Sequence, residues 1–114
     1  MLIACDSDVL WSDELYEVSW IDTKNNLILS RKIDDSTSLS ARVDSYIVAV
    51  GSDNQYVVAK NRNVNTHEIY YFYIDKRKDN NYLNQSEITE GPFSDEQFSK
   101  LKAELDLPDF TKEF

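Results

Sequence analysis

The segment His67–Asp75, HEIYYFYID, constrains this chain more than any other stretch of its 114 residues. In extended backbone successive side chains point to opposite faces. Ile69, Tyr71 and Tyr73 then share one face and Tyr70, Phe72 and Ile74 the other, so neither face is polar. Such a strand belongs in the interior of a sheet, since a solvent-facing side would alternate apolar with polar residues.

The flanking segments supply its neighbours. In LYEVSWID, residues 15–22, Tyr16, Val18 and Trp20 alternate with Glu17 and Ser19, the period of a half-buried strand. Asn25 and Asn26 tolerate the positive φ of a tight turn, and LILSRKI resumes extended structure, so a β-hairpin is expected over 15–33. DDSTSLS reads as a loop, because short polar side chains bond their own backbone there. From Val43, VDSYIVAV is β-branched and apolar enough for a central strand; GSDN turns it and QYVVAKN returns it, a second hairpin over 43–61. KRKDNN carries the chain into solvent, and no periodicity assigns YLNQSEITEG.

The C-terminal segment 94–107 reads as a helix. Ser94 stands at the cap and Gln97 completes a capping box, while Phe93 is placed to staple onto Phe98. Asp95 and Glu96 occupy the first turn, where the helix dipole favours acids. Phe98, Leu101 and Leu105 make one apolar stripe, and Pro108 stops the helix after Leu107. That stripe needs a surface to bury against. The expected fold is a single α+β domain over residues 1–114: an antiparallel sheet of about five strands, curved or barrel-like, with the C-terminal helix packed on one face.

Charge is the most informative bulk property. Twenty-one acids against 12 Lys and Arg give a net charge of −9. Phosphate backbones repel such a surface, so nucleic acid is not an expected partner. The first 22 residues hold Asp6, Asp8, Asp13, Glu14, Glu17 and Asp22 with no Lys or Arg, and residues 86–114 hold eight acids against Lys100, Lys102 and Lys112. Both ends thus offer an anionic surface that would steer a basic partner. The same surplus also serves solubility.

Few residues carry chemistry. His67 is the only histidine, which leaves no Ser-His-Asp triad, Cys-His pair or multi-histidine metal site. Cys5 has no disulfide partner and lies among acids, which raise a thiol pKa. Gly51 and Gly91, the two glycines, build no phosphate-cradling loop. The carboxylates of CDSD, SDEL and KIDD lack the spacing of a calcium loop. No enzyme activity, metal or cofactor is expected. Tyr71, Tyr73, Lys76 and Arg77 interleave aromatic and basic residues as an RNA-binding sheet does, but alternating aromatics in a central strand normally pack against the core.

Two resemblances bear on function. Tyr56, Val57, Val58, Ala59 and Lys60, followed by Tyr71, Phe72, Ile74 and Asp75 and then Gly91, Pro92, Phe93 and Phe98, resemble the YIVAK…YFIID…GPL…EF pattern of small, mostly uncharacterised bacterial proteins. Some of those look like short lipoproteins, and Leu2-Ile3-Ala4-Cys5 has the form of a lipoprotein cleavage site, although neither a basic n-region nor a full h-region precedes it. In acidity, size and lack of a catalytic constellation, the chain also resembles the immunity proteins of contact-dependent inhibition and related toxin systems. That resemblance implies a non-enzymatic cytoplasmic protein that binds and neutralises a cognate toxin, often a basic nuclease. The residues expected to meet it are Trp11, Asp13, Glu14 and Glu17, with Asp34 and Asp35 after the first hairpin. Trp11, outside any expected strand, is either an exposed anchor or a lid on the core. The alternative is an envelope protein anchored to the membrane through a lipidated Cys5.

Overall fold

A computed structural model describes residues 7–21, 26–33 and 38–114. The chain builds two antiparallel sheets rather than the one expected. β1 (Ser7–Asp13), β2 (Tyr16–Ile21), β3 (Ile28–Lys32) and β4 (Leu39–Val43) form the first, in the order β1-β2-β3-β4. β5 (Ile47–Ser52), β6 (Tyr56–Arg62), β7 (Ile69–Asp75), β8 (Glu90–Phe93) and β9 (Lys112–Glu113) form the second, in the order β8-β7-β6-β5-β9. Neither closes on itself, so the architecture is β-rich and is not the barrel that was one form of the expectation.

The division occurs within VDSYIVAV. Val43 ends β4 in the first sheet and Ile47 begins β5 in the second, so the second hairpin starts at Ile47 and not at Val43. Both residues are fully buried in one core, shared between the facing sheets. Tyr16, Val18 and Leu29 reach it from the first sheet, and Val50, Val57 and Ile74 from the second. A β-branched run suits either sheet, so local propensity is silent on where the chain crosses.

The first hairpin pairs β2 with β3 as expected, from Tyr16 opposite Arg31 to Ser19 opposite Ile28; its turn at Asn25 lies outside the described residues. β1 escaped the sequence reading because its ladder with β2 shifts between Val9 and Trp11. A bulge of that kind breaks the period of two. β4 likewise takes Leu39 and Ser40 from the expected loop, and YLNQSEITEG resolves into α1 (Gln85–Ile88) and the start of β8.

β7 is interior, lying between β6 and β8. Its two apolar faces enter different cores: Phe72 and Ile74 face the first sheet, whereas Tyr71 and Tyr73 face α2 (Asp95–Leu105). The expected capping box is present, with Ser94 Oγ accepting from Gln97 N at 3.2 Å and Gln97 Oε1 from Ser94 N at 2.9 Å. The helix ends at Leu105, two residues earlier than expected. Asp106 adopts a left-handed φ of 56°, and Leu107 turns back to bond Lys102 O at 3.2 Å and bury itself in the second core. Beyond it the chain crosses β5 at Gly51, where a Cβ would stand 2.0 Å from Asp109 O. Glycine alone lets the C-terminal segment lie that close.

Candidate functional site

The residues expected to meet a partner fall into different environments. Trp11 lies in β1 opposite Val18, half-buried and packed on the inter-sheet core, which corrects its placement outside any strand. Asp13 ends that strand and accepts hydrogen bonds from Ser52 and from Lys76 Nζ at 2.7 Å, tying the two sheets together. Burial pushes the Asp13 carboxyl up, but the bonds from Lys76 and Ser52 outweigh it and hold it below the usual range. Glu14 takes a left-handed φ of 52° in the turn and is exposed. Glu17 is buried on β2, 4.0 Å from Lys32 Nζ. Asp34, Asp35 and Cys5 lie outside the described residues. Tyr71 and Tyr73 occupy no open RNA-binding face: their rings stack on Phe98 and Phe93, at 5.1 and 6.1 Å.

Beneath the Asp13 turn lies a polar network that the sequence reading missed. KRKDNN was expected in solvent, yet the Asp79 side chain is fully buried. Arg42 grips it in bidentate fashion, Nε to Oδ2 at 3.0 Å and Nη2 to Oδ1 at 2.9 Å. Tyr16 donates its hydroxyl to the same Oδ2 at 2.8 Å. The remaining Arg42 donors are used on Ser40 Oγ, Ala41 O and Asn80 O, as a buried guanidinium requires. Arg31 lies over the Tyr16 ring, with its Nε buried and unpartnered. A shallow cavity of about 290 Å³ opens here between Glu14, Arg31, Lys76 and Arg77.

Burial, and then the hydrogen bond to Asp79, raise the Tyr16 phenol well above its ordinary value of 10.0. Above pH 10 the unfolded chain therefore sheds this proton while the folded chain keeps it, so stability falls as pH rises. Urea unfolding at pH values of about 9 to 11 is expected to show a decline that Tyr16→Phe makes shallower; identical slopes for both proteins would contradict this.

Exposed carboxylates gather at the other end of the chain. All eight acids of residues 86–114 are exposed: Glu87, Glu90, Asp95 and Glu96, then Glu104, Asp106, Asp109 and Glu113. Among the basic residues there, Lys102 is held by Asp109 at 2.6 Å, leaving Lys100 and Lys112 against the surplus. A separate cleft of about 710 Å³ lies beside α1. His67 stands exposed ahead of β7, and among the described residues no three His, Cys, Asp or Glu side chains are grouped to hold a metal ion. Nor is any described helix long and apolar enough to cross a membrane.

No curated protein and no solved structure matches the chain. The sequence pattern of DUF3997, a family described as proteins of unknown function, matches residues 13–112. That span runs from the Asp13 clamp through both sheets and α2 into β9, and by this match the chain belongs to the DUF3997 family.

Proposed function

We propose that this protein is a non-enzymatic cytoplasmic binding protein, an immunity protein that recognises a basic toxin domain through exposed carboxylates. The observation that supports this reading is that all eight acids in residues 86–114 are exposed. In the N-terminal turn, by contrast, Asp13 is held by Lys76 and Glu17 is buried. The reading therefore shifts the principal contact from the N-terminal acids to α2 and its flanks, with Glu14 as a secondary contributor. Surface charge of one sign accelerates encounter with an oppositely charged partner, by about 10- to 1,000-fold at low salt. It repels nucleic acid by the same physics.

The test uses the protein encoded immediately upstream of this one as the partner. It is expected to co-purify with this chain, and a variant carrying Asp95→Asn, Glu96→Gln, Glu104→Gln and Asp106→Asn should associate with it about tenfold more slowly at low salt. Added salt should erase the difference. A neighbour that is not retained, or an association rate indifferent to both charge and salt, would sink the reading.

A further inference from the structure

A cleft beside α1 has a chemistry of its own, distinct from that of the acidic surface. It is about 710 Å³, within the roughly 300–1,000 Å³ typical of ligand sites, and lies where β6, β7 and β8 meet α1. Its lining holds no cation. Asp44, at the rim, is its one ionisable group besides the Tyr70 phenol.

Asn61 sits in this lining and is 6% exposed. Its Nδ2 donates to Asp44 O at 3.0 Å, which settles the orientation of the amide. The other end, Oδ1, is buried and accepts no hydrogen bond. A buried acceptor without a donor destabilises the fold, and a ligand hydroxyl placed there would remove that penalty.

The neighbouring groups extend the same pattern. Asn63 and Asn84, also in the lining, use their Oδ1 atoms on local partners, Asn65 N and Ser86 Oγ, and each side-chain amide carries donor hydrogens besides. Gln85 adds a full amide and Asp44 a carboxylate acceptor. Tyr70 and Phe72, both half-buried, add aromatic carbon. Amides, one carboxylate and aromatic surface without a cation match a neutral, hydroxyl-rich ligand whose ring carbons are apolar and whose hydroxyls both donate and accept. A phosphate or carboxylate ligand would find no counter-charge. An added peptide strand is disfavoured because the β8 edge carries Pro92, which has no N–H.

We propose that the cleft between α1 and the β6–β7–β8 edge is a binding site for a short neutral saccharide, with Asn61 Oδ1 accepting from a buried sugar hydroxyl. The test titrates the full ¹⁵N-labelled chain with maltotriose, cellotriose and chitotriose, following the side-chain amides of Asn61, Asn63, Asn84 and Gln85 by NMR. At least one sugar is expected to shift these resonances saturably, and calorimetry should show Gln85→Ala binding it at least tenfold more weakly. Asn61→Leu should abolish binding, but because that site is buried, Gln85→Ala and Tyr70→Ala at the cleft wall keep the test decisive if it fails to fold. Silence from all three sugars, shifts confined to other regions, or unchanged affinity in both wall variants would overturn the proposal.

Discussion

Asp79→Asn is expected to lower the unfolding free energy by about 3–5 kcal/mol, as removal of one partner from a buried ion pair generally does. The carboxylate takes four close hydrogen bonds, two from Arg42, one from Tyr16 and one from the Asn80 backbone N–H, and neither Arg42 nor Asp79 exposes any side-chain surface. The amide replaces one acceptor oxygen by a donor that faces Arg42 or Tyr16, and the guanidinium is left buried with its charge uncompensated. Arg42→Met should be costly for the mirror reason, since it strands the Asp79 carboxylate. Combining Arg42→Met with Asp79→Leu should cost less than the sum of the two single changes, because it removes both charges of the close pair and leaves only Arg31, 4.0 Å from Asp79, without its partner. Urea denaturation of the four proteins measures this. A loss under about 1 kcal/mol for Asp79→Asn, or strict additivity in the cycle, would show that the network contributes little.

Phe98→Ala is expected to cost a similar amount, about 3–5 kcal/mol, but to act on a different part of the molecule. Phe98 is the one buried residue of α2, 3% exposed, and its ring stacks on Tyr71 at 5.1 Å and on Phe110 at 5.9 Å. An isolated helix of 11 residues is marginal in water, so α2 depends on this contact and on its capping box for its stability. Loss of the ring should loosen α2 and the Phe110 segment before the inter-sheet core. Amide exchange is therefore expected to accelerate in α2 while β2, β3 and β6 stay protected. Phe98→Leu, which keeps most of the volume, should cost less than about 1.5 kcal/mol. Uniform acceleration across both sheets would mean that the two cores unfold as one unit.

What was legible in advance rested on short-range signals. The capping box at Ser94 and Gln97 spans three residues, and the first-turn acids are adjacent to it, so α2 was readable to within two residues of its end. The two apolar faces of β7 marked an interior strand because alternation is a property of the strand itself. β1 was not readable, since its bulge hides the period and Val9 and Leu10 are exposed. The candidate site was less legible still. Acidity at both ends was visible, but Asp13 is consumed by a lysine 63 positions away, whereas the C-terminal acids remain exposed.

The amino-acid order by itself determined the elements whose causes lie within a few residues: the β2–β3 pairing, the interior character of β7, the capped helix and the overall negative charge. The tertiary structure alone decided that the strands divide into two sheets at Asp44–Tyr46, because Val43 and Ile47 suit either sheet equally well. It also joined Arg42 to Asp79 across 37 residues and left Asn61 Oδ1 without a donor at the wall of a cleft. Those features depend on which distant groups share a buried volume, and burial, unlike helix capping or strand alternation, is a property of the assembled chain.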